Sequence, residues 1–289
     1  MLVASLLFAA MGVGIKFAAT SFNVAELVFY RGVVSIVLTA AALRASATPL
    51  RTGVPALHFW RTLTGTLSLG AWFYAIAHLP LAAAMTLNYM SSVWMAVFLV
   101  ATAWLGGKPE RHGPLSATIL TAFAGVVLLL RPAVQQDQLV AGLVGLASGI
   151  GAAFAYLNVS ALAKAGEPAS RVVFYFAVGT ALAGAVGMVF MGITPWQQIS
   201  TVAACWIVPI GVLASLGQWC MTKAYSQGPT LVAANLQYAG VVFAAVLGNL
   251  LFGDHITPLG WLGIGLIAAS GMGATLLRKP GHTAAVPAP

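Results

Sequence analysis

The sequence predicts an all-α integral membrane protein: ten transmembrane helices arranged as two inverted five-helix repeats. Three observations predict it. Of 289 residues, 60% are hydrophobic and only 6% are charged, whereas a water-facing domain carries roughly 25% charge. The apolar residues fall into ten long runs. The second half of the chain repeats the first at a fixed offset.

A spanning helix needs about 20 mostly apolar residues. The first run, 1–19, lacks the basic n-region and cleavage site of a secretory signal, so it is expected to remain as a span. The second, 23–43, completes a pair that carries Lys16, Glu26 and Arg31. The third, 62–80, holds only His78. The other seven contain no Asp, Glu, Lys or Arg: 81–105, 113–130, 139–163, 172–194, 201–222, 229–253 and 256–277. Barrel strands are about ten residues long and alternate; these runs are long and continuous. The expected organisation is a first repeat over 1–131, a linker over 132–138, a second repeat over 139–279 and a disordered tail over 280–289.

The connections alternate in charge. One side of the bundle holds Arg44, Arg51, Lys108, Arg111, Lys164, Arg171, Arg278 and Lys279, and the other holds only Arg131. Basic loops stay in the cytoplasm, so both termini are expected inside, in a bacterial inner membrane. The net charge of +8 is then topological. Nucleic-acid binders cluster their basic residues on one face, so no nucleic-acid partner is expected. Cys205 and Cys220 lie in one run, about 22 Å apart on a helix, too far for a disulfide. No metal-ligand spacing and no nucleotide fingerprint is present, so neither metal nor cofactor is expected. Gly12-Val13-Gly14 lacks the third glycine of a dinucleotide loop.

A shift of 147 positions carries Gly70 onto Gly217, Trp72 onto Trp219, Asn88 onto Asn235, Gly113 onto Gly260 and Arg131 onto Arg278. Arg131 ends the fifth span outside and Arg278 ends the tenth inside. Five spans per repeat is an odd number, so the repeats are inverted. Such repeats characterise secondary transporters, whose substrate site lies near the midplane between the halves.

Several motifs resemble a known family. They are Phe29-Tyr30-Arg31, Arg61-Thr62-Leu63-Thr64-Gly65, Trp72-Phe73-Tyr74-Ala75, Tyr89-Met90-Ser91-Ser92-Val93-Trp94 with Leu105-Gly106-Gly107, and Tyr238-Ala239-Gly240 with Leu251-Phe252-Gly253-Asp254. The chain resembles the EamA-type members of the drug/metabolite transporter superfamily over nearly its whole length. The resemblance implies ten helices that export small metabolites, often amino acids, as a monomer or homodimer. It also implies a cavity lined by spans 1, 3, 4, 6, 8 and 9, with spans 5 and 10 behind it. The family usually has Pro where Ser92 and Gly240 stand, and Glu where Gly107 and Asp254 stand. Without those prolines, spans 4 and 9 are expected to run straighter.

Ser215, Gln218, Trp219, Thr222 and Tyr225 share one face of the eighth span at helical spacing. Lipid cannot hydrogen-bond such groups, so the face lines a wet cavity or bonds neighbouring helices. Ser68, Trp72 and His78 trace a similar face on the third span. Asn88 and Asn235 are repeat mates, placed to touch substrate at opposite halves of one path or to pin helices. Tyr89, Trp94, Tyr156 and Tyr238 lie near mid-span, where Trp is outside its usual interfacial belt. An aromatic, mostly apolar pocket with a few polar groups suits an apolar or aromatic amino acid. The substrate-binding candidates are therefore Trp72, Asn88, Tyr89, Trp94, Tyr156, Gln218, Trp219, Asn235 and Tyr238.

Lys16, Glu26 and Arg31 form a candidate charge site. Each such group costs roughly 3 kcal/mol in lipid on insertion scales. Lys16 and Glu26 stand at similar depth on either side of the turn near Thr20-Ser21, so an ion pair between them is one expectation. A substrate-carboxylate or coupling role for Lys16 is the other. Arg31 has no acidic partner in view. His58, Trp60 and Arg61 are expected to anchor the cytoplasmic interface. An intramembrane enzyme needs a nucleophile–base pair or metal ligands inside the bundle; the spans hold one Glu, no Asp and His78 alone near an edge. A carrier with a small-molecule substrate is the favoured reading, ahead of a non-transporting sensor or scaffold.

Overall fold

The computed structural model describes residues 1–105, 113–135, 138–227, 233 and 236–276. Those residues form eleven α-helices and contain no strand. In order they are α1 (Leu2–Ala18), α2 (Val24–Ala45), α3 (Pro55–His78), α4 (Leu81–Tyr89), α5 (Ser91–Leu105), α6 (Gly113–Gln135), α7 (Leu139–Lys164), α8 (Ala169–Met191), α9 (Thr201–Gln227), α10 (Ala239–Phe252) and α11 (Pro258–Leu276). A 3-10 turn, Trp196–Gln198, precedes α9.

Local chemistry sets the helix ends. Asn23 caps α2: its side chain accepts from Glu26 N at 3.0 Å, and Glu26 returns a carboxylate to Asn23 N at 2.8 Å. This reciprocal capping box satisfies two donors that a helix start leaves bare. Pro55 opens α3, where its missing N–H costs nothing. Gly253 closes α10 at φ 63°, a left-handed conformation that glycine adopts freely.

The outside of the bundle is apolar. Val189, Phe190, Leu250 and Leu276 are each at least three-quarters exposed. Four segments are long and apolar enough to cross a membrane by themselves: Val24–Ala45, Leu139–Lys164, Ala169–Met191 and Thr201–Ser226. Shorter apolar helices accompany them. Lipid is the solvent that such a surface requires, and the chain is a multi-pass membrane protein.

Helices pair antiparallel across the two halves. On α2 and α8, Gly32 meets Ala181 while Gly184 meets the Phe29 backbone. At both contacts a Cβ would fall closer than 3.0 Å to backbone atoms, so the missing side chains let the two helices touch. The other principal pairs are α3 with α7, α1 with α9 and α6 with α11. Ser68 Oγ donates to Ser148 O at 2.7 Å in the first of these, and Ser270 Oγ donates to Thr118 O in the last.

The fourth apolar run is divided into two helices and the ninth carries a turn, although the missing prolines suggested straighter spans. Met90 interrupts the fourth between α4 and α5, and a turn at Gln237–Tyr238 precedes α10 in the ninth. The backbone stays satisfied: Met90 N reaches Thr86 O at 3.1 Å, and Gly240 N reaches Gln237 O at 2.9 Å. The two interruptions face each other. Gln237 Nε2 donates to Ser91 Oγ at 3.2 Å, and the Ser92 and Tyr238 hydroxyls share a hydrogen bond of 2.5 Å. Polar side chains thus join the two interruptions, close to Ser92 and Gly240, where the family usually carries proline.

Candidate functional site

A cleft of about 430 Å³, counting its open part, lies between the two halves. Its walls come from α1 (Phe8), α3 (Arg61, Gly65, Ser68, Leu69, Trp72), α4 (Asn88, Tyr89), α7 (Ala152, Ala155, Tyr156), α8 (Phe176) and α9 (Gln218). All of these are buried except Tyr156 and Gln218, which are half-buried and mark the mouth. Both lie towards the end of the bundle where α3 begins and α7 and α9 end, which we take as the mouth end.

Five of the sequence-predicted binding residues meet at this cleft: Trp72, Asn88, Tyr89, Tyr156 and Gln218. Asn88 Nδ2 donates to Ser148 Oγ at 3.0 Å, which fixes its amide. Phe8 and Trp72 meet edge to face with ring centres 6.3 Å apart, and Tyr156 stacks on Tyr225 at 5.4 Å. Three candidates lie elsewhere. Trp219 is 41% exposed on the outside of α9, with Lys223 Nζ 4.0 Å from its ring centre. One residue of helical rotation separates it from Gln218, and that step turns it away from the cavity. Trp94 packs edge-on against Phe123. Tyr238 bonds Ser92 at the facing helix breaks. Asn235 lies outside the described residues.

The residue that sequence reasoning misplaced is Arg61. It was expected at the membrane interface beside His58 and Trp60. Trp60 is indeed 52% exposed, but Arg61 is only 3% exposed and lines the cleft. Gly65, one turn on, makes this possible: a methyl group there would overlap Arg61 Nη1. The guanidinium therefore folds back over its own helix and lies 4.0 Å from the centre of the Phe176 ring. Its Nη2 donates to Gln218 Oε1 at 3.1 Å, while Nε and Nη1 have no partner. Arg31 on α2 sits 5.4 Å from the same ring, 2% exposed, again with Nε and Nη1 unpartnered. The signal available in the sequence was the i, i+4 spacing of Arg61 and Gly65.

His58 is also buried. It approaches Glu167 Oε2 at 3.3 Å, and Glu167 further accepts from Thr52 Oγ1 at 2.6 Å and Arg171 Nη1 at 2.9 Å. Burial alone would raise the Glu167 carboxyl, but these three donors outweigh it and hold it below the ordinary carboxylate value. The cluster ties the α2–α3 and α7–α8 connections together at the mouth end.

The opposite end is sealed. The expected Lys16–Glu26 pair does not form, because Glu26 is already committed: it caps α2 and accepts from Thr194 N at 2.8 Å and Thr194 Oγ1 at 2.7 Å. Lys16 instead pairs with Asp254, at 2.7 and 2.8 Å to the two carboxylate oxygens. Asp254 Oδ2 also accepts from Leu81 N at 2.8 Å, at the start of α4. Beside and beneath the pair, on the same and adjoining helices, Met11, Ile15, Ile76, Leu81 and Met85 are completely buried. An ion pair capping an apolar plug closes this end.

The EamA-like transporter family matches residues 139–276. The pseudopaline exporter of Pseudomonas aeruginosa is 32% identical over 87% of this chain and 86% of its own. An uncharacterized transporter of Helicobacter pylori is 31% identical over 94% and 91%. A riboflavin transporter of Brucella anthropi is 25% identical over 98% and 99%. A solved crystal structure of a protein 19% identical covers 96% of this chain and 95% of its own at a TM-score of 0.66, which shows a shared fold. The chain belongs to the EamA-type drug/metabolite transporters.

Proposed function

We propose that this chain is a secondary carrier that exports small metabolites with an apolar or aromatic body, amino acids foremost, by alternating access. What supports the reading is a cavity walled by both halves, with its half-buried residues towards one end and an ion pair over buried apolar side chains at the other. The mouth end carries Arg44, Arg51, Lys164 and Arg171, so the positive-inside rule makes it cytoplasmic. The carrier is then poised to load from the cytoplasm of a bacterial inner membrane, with both termini inside.

Two inverted five-helix repeats, 1–131 and 139–279, account for the packing. Exchanging the repeats turns the α1–α9 pair into α7–α3 and leaves α2–α8 and α6–α11 as self-paired couples, and these are the principal contacts. The breaks at Met90 and Gln237 stand one repeat offset apart. No carboxylate lines the cleft among the described residues, and proton relays in membranes use such groups, so we assign facilitated exchange rather than proton coupling.

A second cargo reading rests on relatives named for pseudopaline and riboflavin: a metabolite class other than amino acids. Counterflow into proteoliposomes tests both. Labelled phenylalanine, leucine, 3-phenylpropionate, riboflavin, a nucleoside and a polyamine would be offered to vesicles preloaded with the same compound. Saturable counterflow of an amino acid, indifferent to a pH gradient, is expected. Riboflavin flux without amino-acid flux selects the second reading, and no flux of any compound overturns the carrier.

A further inference from the structure

We infer that the cleft is a carboxylate-binding site in which Arg61 grips the acid group of a substrate whose net charge is negative. This rests on the carrier reading and narrows its cargo, placing acids ahead of zwitterionic amino acids. The unpartnered, fully buried polar side-chain atoms in the lining are Arg61 Nε and Nη1, Trp72 Nε1 and Tyr89 Oη. Each of them can donate. A guanidinium keeps its proton in proteins and offers a planar fork that matches a carboxylate.

Nothing inside the described protein neutralises it. The three described carboxylates are all engaged elsewhere: Glu26 by Asn23 and Thr194, Glu167 by Thr52, His58 and Arg171, Asp254 by Lys16 and Leu81. Arg31 shares the Phe176 ring and adds a second positive charge with no acid to answer it. A buried charge is kept only when something pairs with it, and a ligand that visits the cleft supplies that pairing.

The same inventory decides between kinds of acid. A zwitterionic amino acid brings an ammonium that would find aromatic faces and amides but no carboxylate. A desamino acid, or a molecule with more than one carboxylate, brings no such burden. Phe8, Trp72, Tyr89, Tyr156 and Phe176 supply the walls for its apolar body.

Three probes with one phenyl ring and one short linker separate the cases: 3-phenylpropionate, phenylalanine and phenethylamine, titrated into the purified full chain at neutral pH and read by calorimetry. The acid should bind at least tenfold more tightly than the amine, with phenylalanine between. Arg61→Gln should cost the acid at least tenfold and leave the amine unchanged, and Arg61→Lys should recover part of the loss. Without ligand, Arg61→Gln should melt no lower than the wild type, because it removes an unpaired buried charge.

Any of four results overturns the inference: no binding of the acid, equal binding of amine and acid, unchanged acid binding in Arg61→Gln, or a lower melting point for that variant without ligand. Phosphate or chloride protecting the protein as well as the organic acid would do the same, since it would make the site one for inorganic anions. Counterflow of a neutral or zwitterionic compound that persists in Arg61→Gln removes this inference and leaves the carrier standing. Tight acid binding without counterflow of any compound does the reverse.

Discussion

The two ends of the bundle treat charge in opposite ways. At the sealed end, Lys16 finds Asp254 at 2.7 Å, and the carboxylate also holds the Leu81 amide. Arg61 in the cleft and Arg31 behind the Phe176 ring have no carboxylate among the described residues and share that one ring. A paired charge in a low-dielectric interior is a structural strut; an unpaired one awaits a partner. The difference separates the part of the molecule that closes from the part that binds. It also shows why the rim cluster of His58, Glu167 and Arg171, one turn from Arg61, is not binding machinery: the Glu167 and Arg171 charges already answer each other and His58 hydrogen-bonds the same carboxylate.

The largest effect should come from breaking the strut. Asp254→Ala leaves the Lys16 ammonium mostly buried, with 18% of its side chain exposed, and frees the Leu81 N–H. Removing one partner of a buried pair costs roughly 3 kcal/mol. The sealed state should lose stability by about that amount relative to the state open on the other side. A cysteine placed at Ile15, completely buried here, should then react with a membrane-impermeant maleimide from the outside many times faster than in the intact background. Equal labelling would mean that the ion pair does not close that end. Lys16→Ala should open it less, because Asp254 keeps the Leu81 amide.

These differences explain what was legible in advance. Spans and loops could be read directly, because the bilayer imposes length and apolarity on each segment separately. The faces of Trp72 and Gln218 followed from helical period, Asn88 from one repeat offset, and Tyr156 from being an aromatic residue near mid-span. Partners could not be read so easily. Lys16 and Glu26 stand at equal depth, yet each is claimed by a residue far along the chain, Asp254 and Thr194. Such choices depend on how helices assemble, not on depth. Arg61 was misplaced because its position near a helix start suggests a snorkelling side chain. Whether it snorkels or folds inward is decided by the empty space at Gly65.

A middle-sized effect belongs to the paired rim. Glu167 is held below its ordinary value of 4.5 by Thr52, Arg171 and His58, against the opposing influence of burial. A carboxyl with a lowered folded value adds stability that is fully present above its unfolded value and is lost as pH falls through the folded one. His58, which burial holds below its ordinary value of 6.5, begins to cost stability as pH falls below that value, and the Glu167 loss follows below the ordinary carboxylate range. Glu167→Gln should flatten the lower part of that decline in melting temperature. The variant should also melt lower at neutral pH, since Arg171 loses its partner. An identical acid limb in the variant would show that the rim carboxyl does not set it.

The smallest expected effect concerns the facing helix breaks, which lie between the two ends and must serve both. Tyr238→Phe removes the hydroxyl shared with Ser92. Polar contacts between membrane helices average about 0.6 kcal/mol, so the melting temperature should move by only a degree or two. Binding in the cleft should not change, because neither residue lines it. Exchange is different. If the breaks act as the joint about which the halves rock, losing a bond that exists in one state alters the balance between states by the same 0.6 kcal/mol, about a threefold change. Counterflow rate altered about threefold at unchanged affinity would assign the bond to the moving joint. A change in affinity with an unchanged rate would assign it to the binding site instead, and the division between the closing and the binding parts of the molecule would have to be redrawn.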